Sequence, residues 1–296
     1  MTAPSSFLRI AVLGTGMMGL PIARRLCQAG HQVHAWNRTR SKAELLVNDG
    51  AQVHEQAADA VRQADMAISL LESGPVVADV LFHQGVAEAL APGALFIDMA
   101  SIQPAEARAH AAQLMARGAA YLDAPVSGGT VGAEAGTLAI MVGGEATDFS
   151  RAQPVFAALG RATHVGPHGT GQLTKLANQM IVGITIGAVA EALLLAAKGG
   201  ADMAKVREAL GGGFADSRIL QLHGQRMVER DFAPRGRMTV QLKDMRNALS
   251  TAQELGFDAP VTALLESLYA EAVAHGLDGL DQSGLFVELA HRNGMT

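Results

Sequence analysis

The stretch LRIAVLGTGMMG, residues 8–19, runs from an apolar, partly β-branched segment into Gly14-x-Gly16-x-x-Gly19, and the residues after it take up helical spacing. Strand, glycine turn and helix in that order form the setting of a dinucleotide fingerprint. Glycines there let the backbone turn tightly and approach a pyrophosphate, which the free N–H groups of a helix start attract. The motif alone is weak, and its place between strand and helix gives it weight. Met17 and Met18 lie within this loop.

Outward from the motif the chain alternates short strands with helices. The spacing predicts a helix over 20–29 closed by Gly30, a strand at QVHAWN (32–37) and a helix over 41–49 closed by Gly50. Further strands are expected at MAISLL (66–71), ALFIDMA (94–100), AYLDAPV (120–126) and LAIMVGG (138–144). Such alternation predicts a mostly parallel sheet with right-handed crossovers. HVGPHGTG (164–171), rich in glycine and holding Pro167, reads as a junction. Beyond it the pattern is helical: one long helix over 170–197, then helices near 202–210, 217–229, 239–255 and 260–275. The fold class expected is therefore an α/β Rossmann-type domain, residues 1–166, and an all-α domain, residues 167–296, joined by a long helix.

The composition narrows the function. Hydrophobic residues make up 49%, charged residues 17% and the formal charge is −5 with basic residues dispersed, so no footprint for nucleic acid or an anionic membrane exists. A small-molecule partner is expected, and the sparse surface charge points to a homodimer or homotetramer. One cysteine, Cys27, excludes an internal disulfide and a cysteine-based metal site. The N-terminus shows no charged n-region or cleavage signal, and the chain reads as cytoplasmic. The apolar run after Lys175 reads as a helix of the protein interior, since Asn178, Gln179, Thr185 and Glu191 interrupt it. No metal is expected; His164 and His168 are separated by Gly166 and Pro167, which break the helical turn that would aim both at one ion.

The end of the second strand speaks to the choice of dinucleotide. AWNRTRSK (35–42) offers Asn37, Arg38, Thr39, Arg40 and Lys42 where an NAD enzyme carries an acidic residue for the ribose 2′-OH. With no carboxylate to repel a 2′-phosphate and Arg38 beside it, NADP is expected, with NAD possible. Elsewhere, DAPVSGGTVGAEAGTLAIMVGG (123–144) places Ser127, Gly128 and Gly129 in a row. They form either an anion nest for a carboxylate or a bend that lets the chain pass under another element. Lys175 heads an apolar run, followed by Asn178 and Gln179 at the third and fourth positions of the same helical face. A cation set against the positive end of a helix dipole is held in a disfavoured state, which suits an acid–base lysine.

Together, GTGMMGLPIARRL, FIDMASIQP, DAPVSGGTVGAEAGTLAIMVGG, GTGQLTKLANQMIV and LKDMRNAL resemble the β-hydroxyacid dehydrogenase family, which includes 3-hydroxyisobutyrate and 6-phosphogluconate dehydrogenases. TKLANQ, EALLLA and GGGFADS are most similar to the branch acting on tartronate semialdehyde. The resemblance implies reversible reduction of a small 3-oxo acid such as tartronate semialdehyde to D-glycerate, in a cleft between the domains; the alternatives are an enzyme of the same fold for 3-hydroxyisobutyrate, succinic semialdehyde, glyoxylate or an imine, and a non-catalytic NADP-binding module. It implies cofactor contacts at Gly14, Gly16, Met17, Met18, Gly19, Asn37, Arg38, Thr39, Leu70, Leu71, Ser101 and Lys243. It implies substrate contacts at Ser127, Gly128, Gly129, Asn178, Gln179 and Lys243, with Lys175 as the catalytic acid–base. Gln179 stands where many members carry asparagine, and Ala100 where many carry a hydroxyl residue.

Overall fold

The computed structural model describes residues 7–295, which divide into two compact units, one ending at Lys175 and one beginning at Leu176. The first is built on a nine-stranded sheet. Strands β1 (Arg9–Leu13), β2 (Gln32–Trp36), β3 (Gln52–Val53), β4 (Met66–Ser69), β5 (Leu95–Asp98) and β6 (Ala120–Asp123) are parallel in the order β3-β2-β1-β4-β5-β6. The edge beyond β6 is mixed: β8 (Leu138–Gly144) runs antiparallel to β6 and to β7 (Val126–Ser127), and β9 (Gly160–Gly166) is parallel to β8.

Alternation along the strands fills both faces. Ile10, Val12, Ile68, Ile97 and Leu122 point into one apolar core, which the helices Gly19–Gln28 and Ala146–Leu159 cover with Ile22, Leu26, Val155 and Phe156. Ala11, Leu13, Ala67, Phe96 and Tyr121 point into the other, beneath the helices Gly74–Phe82 and Pro104–Met115. Burial on both faces explains why these strands read as continuous apolar runs. Strand order reverses at β1, so the crevice outside the carboxyl ends of β1 and β4 is where an open α/β sheet receives its ligand. Both Gly14 and Leu70 lie at those ends.

The second unit is helical: Met203–Leu210, Arg218–Glu229, Met238–Glu254, Pro260–Ala272 and Leu285–Arg292 pack with the long helix Thr170–Lys198 around Ile186, Ala190, Leu193, Met227, Met245, Tyr269 and Phe286. That helix is long and apolar enough to cross a membrane by length and composition. Its inward residues belong to this core.

Several boundaries differ from expectation. The helix expected over 41–49 divides into Arg40–Glu44 and a 3-10 turn Val47–Asp49, both Ala43 and Leu46 are buried, and Gly50 (φ 91°) turns the chain after them. The expected strand over 120–126 splits at Ala124. Ser127 ends β7, and Gly128 (φ 139°) and Gly129 (φ 62°) lead from it into a helix, Gly129–Ala135, that lies outside the expected elements. Its glycines and lack of apolar period hid it. The last helix, Leu285–Arg292, went unread as well. The first compact unit takes in the start of the long helix as far as Lys175, where the Gly169 and Gln172 amides are bonded to Asp123.

Candidate active site

The glycine loop separates by role. A Cβ on Gly14 would lie 2.6 Å from the Leu70 carbonyl oxygen, and one on Gly19 would lie 1.8 Å from the Gly14 carbonyl oxygen. These two glycines close the turn and seat the helix. A Cβ on Gly16 would meet nothing within 4 Å, so the open side of the turn lies over Gly16. Beside it, the buried Thr15 hydroxyl has no hydrogen-bond partner. An open glycine and an orphaned hydroxyl at the carboxyl end of β1 fit a bound pyrophosphate.

Asn37 ties the loop to the second strand: its Oδ1 accepts the Thr15 N–H (3.0 Å) and its Nδ2 donates to the Thr39 carbonyl (2.9 Å). Arg38 and Thr39 are exposed next to it. Arg40 is engaged by Glu44 and Glu55, which leaves Arg38 as the cation adjoining Asn37. Leu70 and Leu71 flank the turn from β4, with Leu71 Cδ2 placed 3.1 Å from where a Gly14 Cβ would be.

Lys175 is the sixth residue of the long helix, in its second turn. The dipole argument from sequence therefore fails, because that field falls off within the first turn. What positions the amine is a direct bond: Lys175 Nζ donates to the Val126 carbonyl at 3.0 Å. Val126 precedes Ser127, Gly128 and Gly129, so the structure brings the lysine to the segment singled out for a carboxylate. Ser127 is half-buried and the two glycines are exposed.

Three buried residues that sequence reasoning passed over hold this arrangement. Asp98 accepts from Ser69 Oγ (2.6 Å), the Ala100 N–H (3.0 Å) and Tyr121 Oη (3.1 Å). Burial pushes its carboxyl up to about 6 despite these donors. Asp123 accepts the N–H groups of Gly169 (2.8 Å) and Gln172 (2.9 Å), fixing the start of the long helix; burial raises its carboxyl and the two amides oppose the rise. Gln172 reaches from that helix to the chain around Ser101. Their sequence signals were only a carboxylate at the end of each of two apolar strands and a glutamine one turn ahead of a lysine. His164 and His168 bond the Gly144 and Tyr121 carbonyls.

The second unit gathers the remaining candidates. Gln179 Nε2 donates to Gln241 Oε1 (3.0 Å) and Asp244 Oδ2 (2.9 Å), while Asn178 Nδ2 donates to Gln179 Oε1 (2.8 Å). Lys243 Nζ pairs with Asp244 Oδ1 at 3.2 Å. Gln179, longer than the asparagine common at its position, reaches two buried partners, Gln241 and Asp244, that the sequence did not single out.

Comparison with known proteins agrees along the chain. Residues 9–167 match the NAD binding domain of 6-phosphogluconate dehydrogenase, and residues 169–289 match the NAD-binding domain of NADP-dependent 3-hydroxyisobutyrate dehydrogenase. A 2-hydroxy-3-oxopropionate reductase of Escherichia coli is 43% identical over 94% of this chain and 96% of its own. A 3-hydroxyisobutyrate dehydrogenase of Pseudomonas aeruginosa is 38% identical over 93% of this chain and 96% of its own. Among solved structures, a Mycobacterium tuberculosis 3-hydroxyisobutyrate dehydrogenase with L-serine superposes with a TM-score of 0.88 at 32% identity, covering 96% of this chain and 99% of that one.

Proposed function

We propose that this chain, which belongs to the 3-hydroxyisobutyrate dehydrogenase family of NAD(P)-dependent oxidoreductases acting on 3-hydroxyacids, reduces tartronate semialdehyde to D-glycerate with NADPH. The observation that carries it is the Lys175–Val126 bond, which sets a primary amine beside Ser127, Gly128 and Gly129. The 43% identical relative supports the choice of acid, since tartronate semialdehyde is 2-hydroxy-3-oxopropionate. The dinucleotide would be held by the loop from Gly14 to Gly19 with Met17 and Met18 at its pyrophosphate, by Asn37, Arg38 and Thr39 around its adenosine ribose, by Leu70 and Leu71 along the cleft and by Ser101 on the nicotinamide side, and would supply the hydride. The Ser127 hydroxyl and the Gly128 and Gly129 amides hold the substrate carboxylate. Lys175 Nζ donates a proton to the carbonyl oxygen as it becomes an alcohol, and accepts it back in the reverse direction. Substrate contacts at Asn178, Gln179 and Lys243 are assigned through the family resemblance alone.

The test is loss of NADPH absorbance across a panel of small oxo acids, with NADP reduction by their hydroxyacids run in parallel. Tartronate semialdehyde is expected to give the highest kcat/KM. A second reading, oxidation of 3-hydroxyisobutyrate or L-serine, draws on the neighbour solved with L-serine; a preference for either alcohol would replace the first. No turnover with any acid would leave an NADP-binding module.

NADPH is expected to outperform NADH, because Arg38 stands beside the uncharged Asn37. Asn37→Asp keeps an acceptor for the Thr15 N–H while placing a carboxylate against the 2′-phosphate. The ratio of kcat/KM values for the two cofactors should then move toward NADH by about tenfold or more, the scale of a close like-charge contact of more than 1.4 kcal/mol. Wild-type use of NADH equal to that of NADPH would refute this account of the strand end.

We also propose a cytoplasmic homo-oligomer built through the helical unit. Leu255, Phe257, Val261 and Leu264 are exposed around the start of Pro260–Ala272, and Ile181 and Leu195 on the long helix. Lone monomers rarely present so much apolar surface. Light scattering at micromolar concentration should return at least twice the chain mass, and a monomeric value would end the proposal.

A further inference from the structure

Gln172 stands one turn before Lys175 on the same helix, and its side chain is fully buried. Its Oε1 accepts the Ile102 N–H at 3.1 Å and its Nε2 donates to the Ala100 carbonyl at 2.8 Å, so both bonds fall on the residues that flank Ser101. From inside the sheet, Asp98 accepts the Ala100 N–H. The turn that bears Gln172 is itself fixed, since Asp123 accepts the amides of Gly169 and Gln172. Gly171 allows the close seat: a Cβ there would lie 2.5 Å from the Asp123 and Met141 carbonyl oxygens. Two consecutive turns of one helix thus make separate attachments, Gln172 to the Ser101 segment and Lys175 to the Val126 carbonyl.

We propose that Gln172 is a positioning residue for the reaction, setting the Ser101 segment against Lys175 through its one amide; this rests on the reading that Lys175 is the proton donor and Ser101 borders the cofactor. The segment offers an acceptor and a donor side by side, and a carboxamide answers both. A protonated glutamate can also answer both, lysine answers only the acceptor, and an apolar side chain leaves a buried N–H and C=O without partners. Gln172 touches no reacting atom. Its effect passes through the place of Ser101.

The experiment compares wild type with Gln172→Met, which keeps length and packing, and Gln172→Glu, which keeps the acceptor for Ile102. In Gln172→Met, kcat per folded molecule should fall by about tenfold or more, since small displacements of positioned groups are amplified in rate. The NADPH Kd, read by fluorescence titration without substrate, should rise as well. Gln172→Glu should lose less on both measures. A merely structural glutamine would lower the thermal midpoint while kcat per folded molecule and Kd stay at wild-type values, and that result overturns the proposal. Should Gln172→Met fail to fold, wild-type values of both quantities in Gln172→Leu, which also removes both bonds, overturn it equally. A wild-type enzyme without turnover strikes the parent reading instead, and the Kd comparison then decides alone.

Discussion

Lys175→Met should keep the fold and NADPH binding yet lose kcat by roughly 10²-fold or more, the usual worth of general acid–base catalysis. Methionine retains most of the lysine stem's packing and removes only the amine. The amine donates to the Val126 carbonyl, on a half-buried edge of the sheet unit. A lysine present only to extend its charge into water predicts the reverse, with kcat near wild type. The pH profile supplies an independent reading. Reduction requires the protonated amine, so the wild-type kcat should decline on the alkaline side, and that limb should be absent in the variant. Retention of more than about a tenth of wild-type kcat, well short of the expected loss, would remove Lys175 from the proton-donor role and make Lys243 the next candidate.

Strand, glycine turn and helix were legible at residues 8–28 because each element carries its own local signal: a β-branched run, fixed glycine spacing and a 3.6-residue period. Lys175 stands out in the sequence as well, but for a reason the structure replaces. Its prominence in sequence comes from charge beside an apolar run, whereas its position comes from the carbonyl of Val126, far away along the chain. Asp98, Asp123 and Gln172 stayed hidden for the same physical cause. Each acts through partners far away along the chain, and pairing at a distance leaves no periodicity in the residues themselves. The helix Gly129–Ala135 was hidden differently, since it buries only Gly132 and Ala133 and shows no apolar stripe. Arg40 shows the limit of reading charge from a short window. It belongs to the same basic run as Arg38, yet it is paired with Glu55 on the segment after β3.

The glycine loop yields the sharpest contrast between fold and function. Gly19→Ala should fold poorly, because the new Cβ would stand 1.8 Å from the Gly14 carbonyl oxygen and neither backbone can yield without moving the helix Gly19–Gln28 off β1. Forced overpacking of that kind lowers stability by about 1–3 kcal/mol or more, seen as a fall in the thermal midpoint of the protein without cofactor. Gly16→Ala should do the opposite. Its Cβ enters space in which no protein atom lies within 4 Å, so the midpoint without cofactor should stay within the roughly 0.5 kcal/mol expected of a neutral surface change. If that space is where the pyrophosphate approaches the backbone, the methyl blocks it, and NADPH affinity should fall by about tenfold or more, the equivalent of 1.4 kcal/mol. The two variants therefore separate turn-closing glycines from the ligand-facing one, using a melting curve and a fluorescence titration. Unchanged NADPH affinity in Gly16→Ala would place the pyrophosphate elsewhere than over this glycine, and a stable Gly19→Ala would mean that the turn relaxes in a way its backbone contacts do not allow.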